Sequence, residues 1–292
     1  MHVFVIGATG VLGRVLLPRL QQAGHTMHTL VRSQAQAQVL REVGMVATVG
    51  EILQPEMQQQ LPDLVQGCDA VIHIATAIPA TPTTPNAWET NTRLRTEGTR
   101  CLLDAALKAG ARRYIQQSIV MAYPDSGDVW LDEEQTFDKD PARAAVCVPV
   151  MQMEQMVRAV SPDRLHWSIL RGGLFVGAGT GQEKLLANLR TGQVEIPGKG
   201  QNFISLIHVA DMAEAFVQTL EQAAAGSIYH VVVEPLRYAD YVNTLADRLQ
   251  VPHPPYNTTL HEGLSLRCRN QRLREQTGWQ PRHSIFPGDP GW

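Results

Sequence analysis

Residues 3–17 read VFVIGATGVLGRVLL. Four apolar residues, VFVI, have the length and β-branched content of a buried strand. GATG then breaks the run, and VLGRVLL resumes with helical spacing. Gly7, Gly10 and Gly13 form G-x-x-G-x-x-G. A side chain at the first glycine would obstruct a tight turn. One at the second would hold backbone amides away from a pyrophosphate, and one at the third would push the helix off the strand. Thr9, Val11 and Leu12 lie between these glycines, where amides at the start of a helix face an anion. Strand, glycine turn and helix in this order predict a dinucleotide loop; the alternative is a simple tight turn.

The pattern repeats outward. VFVI (3–6), MHTLV (27–31), VATV (46–49), AVIHIA (70–75), RYIQQS (113–118), HWSIL (166–170) and IYHVVV (228–233) read as strands. Segments with helical spacing separate them, several ending in glycine. The alternation predicts an α/β fold, a doubly wound parallel Rossmann sheet. Residues 1–173 with about 206–233 form the dinucleotide-binding domain. Residues 174–205 and 234–292, richer in Gly and Pro, form a smaller C-terminal lobe for substrate. TAIPATPTTP (76–85) reads as a loop.

The phosphate state of the nucleotide is read from the second strand. A site for NAD usually has an acid about 20 positions after the loop, bonding the ribose 2′-hydroxyl. Here Arg32 stands in TLVRS, with no acid until Glu42. A guanidinium suits a 2′-phosphate, and Ser33 adds a hydroxyl. NADP(H) is therefore expected; a solvated arginine at a strand end is the alternative. Glu51 and Ile52, after the third strand, are placed against the adenine, with a surface role for Glu51 as the alternative.

The 292 residues carry 44% hydrophobic and 18% charged side chains, with net charge −3. That is enough chain for a substantial core. Nothing in the charge favours nucleic acid, and no apolar run has the length of a membrane span. The four cysteines have no C-x-x-C spacing, so no metal site or disulfide framework is indicated, and a reduced, cytoplasmic location is expected.

These segments resemble the extended short-chain dehydrogenase/reductases, the NAD-dependent epimerase/dehydratase family. GATGVLG is similar to its cofactor loop, and CDAVIHIATA (68–77) to its fourth strand. The resemblance implies backbone contact with ribose and nicotinamide near Ala75 and Thr76. ILRGGLFVGAG (169–179) resembles the sixth strand and the turn below the nicotinamide, which brings in Gly173. LIHVADMAEAF (206–216) resembles the H-V-x-D segment, and LREQTGWQP (273–281) the C-terminal signature.

The family's chemistry uses a tyrosine, a lysine four residues on, a serine or threonine, and an asparagine. Aligned on Glu154, Tyr123 and Gly98, those positions hold Val146, Val150, Ile119 and Arg95. The stretch VCVPV (146–150) thus resembles an active-site helix without its acid or its electrostatic helper. Tyr123 and Ser118 are the candidate replacements as proton donor and oxygen binder. Lys139 is a weaker one, and Arg95 would either bind an anionic substrate or cap a helix face. His73 and His208 read as core histidines, Cys147 as an inert thiol. The resemblance also allows a homodimer through helices at 87–110 and 142–160.

Three functions stay open. One is an NADPH-dependent reductase of a small carbonyl or enone working without the usual tetrad. Another is a catalytically silent NADP(H) sensor. The third is a redox-neutral isomerase, lyase or cyclase. No motif names the small-molecule substrate.

Overall fold

The apolar run at the head of the chain forms strand β1 (His2–Ile6), with Val3, Phe4 and Val5 at 0% exposure. Helix α1 (Val11–Gln22) follows and buries Leu12, Leu16, Leu17 and Leu20. Each such leucine stabilises the fold by about 1.5–3 kcal/mol relative to an exposed one. The computed structural model describes residues 1–81, 83–84 and 86–289. Pro82 and Pro85 of the expected 76–85 loop, and residues 290–292 of the expected C-terminal lobe, lie outside them.

The same unit recurs. Strand β2 (Thr26–Val31) leads to α2 (Gln34–Glu42), and β3 (Val46–Val49) to α3 (Pro55–Val65). Strand β4 (Ala70–His73) precedes α4 (Glu89–Arg93), a single π-turn (Leu94–Gly98) and α5 (Thr99–Ala109). Strand β5 (Arg113–Ile119), helix α6 (Ala144–Arg158), β6 (His166–Gly172), α7 (Gly181–Arg190), α8 (Val209–Gln222) and β7 (Ser227–Val231) complete the pattern. The seven strands form one parallel sheet in the order β7-β6-β5-β4-β1-β2-β3. β1 pairs on one side with β2, placing Ile6 opposite Leu30, and on the other with β4, placing Ile6 opposite His73. The strand order therefore reverses between β1 and β4. Ligands of open α/β sheets bind beyond the carboxyl ends of the strands at such a reversal.

Strand β4 is shorter than its apolar run. Ile74 leaves the ladder, its amide donating to Ile6 O at 3.0 Å. The path from α4 to α5 is interrupted by the π-turn, and α6 starts at Ala144, ahead of the proline in VCVPV.

The chain divides into two compact units: Met1–Ser118, Asp138–Leu170 and Ala213–Ile228 in the first, and Ile119–Phe137, Arg171–Met212 and Tyr229–Trp292 in the second. One core of the first lies between the sheet and α3 and α5, around Phe4, Leu61, Val71, Leu102 and Trp167. The second is built from short strand pairs, such as Leu174–Val176 beside Leu206–His208, with α7, α9 (Tyr238–Leu249) and α10 (Gln271–Thr277). One of its cores gathers Val176, Leu186, Ile196 and Leu245, and another Val120, Tyr123, Leu131 and Cys268. Among the described residues no helix is long and apolar enough to cross a membrane.

Candidate functional site

Gly7 takes φ +99° as the chain leaves β1, a conformation that strains any residue with a side chain. A Cβ there would stand 2.6 Å from the amide of Ala75. The loop after β1 and the loop after β4 thus touch through backbone, which only glycine permits. At Gly13 a Cβ would meet Gly7 O at 2.3 Å and Ala8 O at 2.4 Å, so helix and turn are in direct contact. Gly10 differs: its backbone is extended, it is exposed, and the one neighbour of an added Cβ is Gly7 O at 3.3 Å. The space above Gly10 is open on the side where the first amides of α1 lack helical partners. This cradle fits the pyrophosphate of a dinucleotide. Thr9, Val11 and Leu12 lie in it, Leu12 with its side chain buried in the core.

Arg32 follows β2 and is exposed; its amide donates to Gln36 Oε1 at 3.0 Å. Ser33 caps α2, accepting from the Gln36 amide at 3.3 Å. Glu51 is exposed beside Gln54, and Ile52 is buried in the core of the first unit. Thr76 is exposed, and the loop it belongs to is tied to α4 by the Ala77 amide, which donates to Asn91 Oδ1 at 3.1 Å. Asn91 had no motif to announce it.

Beneath the β4 loop lies a buried polar cluster. His73 Nδ1 is 3.1 Å from Gln116 Oε1 and 3.2 Å from Thr99 Oγ1. The hydroxyl of Tyr114 donates to Gln116 Oε1 at 2.9 Å. Burial, reinforced by the charge of Arg95, lowers the pKa of His73 to about 4, so the ring is neutral at pH 7. His73 is a core histidine, held by Gln116 and Thr99, two partners that no pattern in the sequence singled out.

On α6, Val150 is fully buried, Val146 partly so, and burial raises the Cys147 thiol above its ordinary pKa. The two valines carry no acidic proton, and the raised thiol is a weaker acid than an ordinary cysteine. Ser118 ends the first unit's part of β5. It is 0% exposed, and its hydroxyl donates to Glu154 Oε1 at 2.6 Å. Lys139 is exposed ahead of α6.

Tyr123 and Gly173 belong to the second unit. Tyr123 is 0% exposed, packed with Val120, Leu131 and Cys268. Its oxygen lies 2.6 Å from His230 Nε2 and accepts from Arg171 Nη1. The other ring nitrogen, Nδ1, faces Arg269 O at 3.0 Å and so carries the proton, which makes Nε2 the acceptor of the phenol. Burial and the Arg171 charge push His230 down to about pKa 3. Glu133 closes the cluster, accepting from the His230 amide at 2.9 Å. The two hydroxyls expected to meet a substrate are thus both sealed from solvent and directed at protein partners. The physical reason is the same in each: a buried hydroxyl takes the nearest strong acceptor, here a carboxylate or an imidazole. The sequence carried one clue, a histidine inside the apolar run IYHVVV. At Gly173 a Cβ would stand 2.6 Å from Ser205 O, so this glycine lets two backbones of the second unit pack. Among the described residues no cluster of His, Cys, Asp or Glu could hold a metal.

A glycine cradle at the β1–β4 reversal defines a nucleotide-binding α/β protein. The chain belongs to the NAD-dependent epimerase/dehydratase family, whose model matches residues 3–233. It is 30% identical, over 100% of its length and 98% of the relative's, to a 3-diazoavenalumate denitrifying reductase from a Streptomyces species. It is 27% identical, over 78% of its length and 67% of the relative's, to a 4-hydroxy-2-methyl-3-oxo-4-farnesyl-3,4-dihydroquinoline-1-oxide ketoreductase of Stigmatella aurantiaca. Its fold matches a dTDP-glucose 4,6-dehydratase from Streptomyces venezuelae with NAD bound, with a TM-score of 0.80 at 19% identity, covering 98% of this chain and 93% of the other. A UDP-glucose 4-epimerase from Thermotoga maritima gives 0.80 at 16% identity, with 98% and 95% covered.

Proposed function

We propose that this chain is an NADPH-dependent reductase that gives hydride to a substrate needing no proton from the protein in the same step. The observation that carries this reading is that none of the side chains at Val146, Cys147, Val150, Ser118 and Tyr123 is an available acid. Val146 and Val150 cannot titrate, the Cys147 thiol is raised by burial, and the Ser118 and Tyr123 hydroxyls are occupied. A positioned acid is worth typically ~10²–10⁴-fold in rate, so simple ketones, which need one, are poor substrates here. The glycine cradle would hold the pyrophosphate, and Arg32 with Ser33 the 2′-phosphate. When bound, NADPH supplies a hydride, and an enone can take it at carbon and collect its proton from water afterwards.

A second reading of the same site is favoured by the relative matched over the full length, named for a diazo substrate and for denitrification. An aryl diazonium ion already carries the positive charge that an acid would otherwise provide. Such a cation plus hydride gives the arene and N₂, with charge and atoms balanced and no proton required.

The test offers a simple enone, an aryl diazonium salt and a simple ketone to the protein with NADPH, against enzyme-free controls. The enone or the diazonium should be reduced faster than the ketone. Deuterium at the transferred position of NADPH should slow the step, and heavy water should not. A solvent isotope effect on the hydride step would show that a protein acid takes part. No turnover of any of the three, with NADPH bound, would favour a silent sensor. Cofactor choice is checked by thermal shift, since a ligand of the native state raises its stability. NADPH should exceed NADH, and Arg32→Ala should narrow the gap.

A further inference from the structure

Arg95 lies in the π-turn Leu94–Gly98, where a helix carries one residue more than its regular path. It is 5% exposed. A guanidinium has five N–H donors and no acceptor, and one that is buried is ordinarily bonded by strong acceptors. Here Nη1 donates to the thioether of Met153 at 3.6 Å, and among the described residues no other acceptor is within reach. Sulfur of this kind is a weak partner. Glu154, on α6 like Met153, adds an attractive charge, but its Oε1 takes the Ser118 hydroxyl at 2.6 Å. Burial lowers Arg95 to about pKa 10, so it stays a cation at neutral pH.

We propose that Arg95 docks a carboxylate of the substrate, which makes the substrate a small organic acid with its reducible group elsewhere in the molecule. This rests on the reductase reading and names the substrate class for it. The guanidinium fork matches two carboxylate oxygens with paired, charge-assisted bonds, and its spare donors have no better partner among the described residues. One guanidinium, part of whose charge is balanced by Glu154, suits a monoanion better than a phosphate dianion. The location agrees: Arg95 shares Glu154 as a neighbour with Ser118, at the carboxyl end of β5, the side of an open sheet where ligands bind.

Benzoate, cinnamate and hexanoate are the probes, each beside its primary amide, titrated by calorimetry into protein saturated with NADP⁺. At least one acid should bind about tenfold or more tightly than its amide. Arg95→Met should remove that preference while NADP⁺ still binds, and Arg95→Lys should keep part of it. Equal affinity for every acid and its amide, or a preference undiminished in Arg95→Met, would overturn the proposal. If Arg95→Met does not fold, the wild-type comparison and Arg95→Lys decide in the same way. Failure of the wild type to bind NADP⁺ would instead sink the reductase reading, so the two failures are distinct.

Discussion

Ser118 Oγ lies 2.6 Å from Glu154 Oε1, the hydroxyl donating into a carboxylate that is 2% exposed. A hydroxyl reserved for a substrate would leave stability unchanged when removed. One that satisfies a buried carboxylate would not. Ser118→Ala is therefore expected to cost about 1–3 kcal/mol of stability. Urea denaturation of the two proteins checks this, and an unchanged midpoint would return the serine to the role of substrate binder.

The Tyr123 phenol is held in the same manner, between His230 Nε2 and Arg171. Tyr123→Phe keeps the ring packing against Phe137 but leaves an imidazole nitrogen and a guanidinium N–H without this partner. About 1–3 kcal/mol should be lost. The rate of hydride transfer in folded protein should stay within a few-fold of wild type. A loss of rate by about 10²-fold or more, with stability intact, would identify the tyrosine as the proton donor after all.

His73 and His230 make stability depend on pH. Their folded pKa values are about 4 and about 3, both below the ordinary 6.5. Between those limits the unfolded chain binds protons that the folded one refuses. This contribution is complete above pH 6.5 and is lost as the pH falls toward the folded values. Two such groups should cost roughly 2–3 kcal/mol per pH unit near pH 5–6. Guanidinium denaturation over that range measures the slope. His73→Gln should reduce it by about half, and a slope unaffected by that change would mean the ring is already charged in the fold.

Local chemistry explains what was legible beforehand. Gly7, Gly10 and Gly13 signal themselves because each answers a separate steric demand within a few residues of chain. The strands follow from short β-branched runs. The buried networks were not legible, because their members are far apart. His230 is more than a hundred residues from Tyr123, and neither neighbourhood reveals the other. Asn91 tying the loop after β4, and Gln116 holding His73, are likewise products of the sheet register. Arg95 was visible as a residue, but its thioether neighbour and its burial depend on how the π-turn faces α6.

The three glycines should respond differently to a side chain, and that difference tests the nucleotide site. At Gly13 a Cβ would fall 2.3 Å from Gly7 O and 2.5 Å from Ala8 C, all backbone, which cannot swing aside. Gly13→Ala is thus expected to destabilise the apo protein by about 1–3 kcal/mol or more, through forced separation of α1 from the turn. At Gly10 the nearest atom is 3.3 Å away, and its extended backbone suits any residue. Gly10→Val should therefore lower the apo melting temperature much less than Gly13→Ala does. The same isopropyl group would occupy the open space above the first amides of α1, where the pyrophosphate has to lie. NADPH should then give the wild type a thermal shift and give Gly10→Val none. Undiminished NADPH affinity in folded Gly10→Val would show that the dinucleotide does not cross this loop.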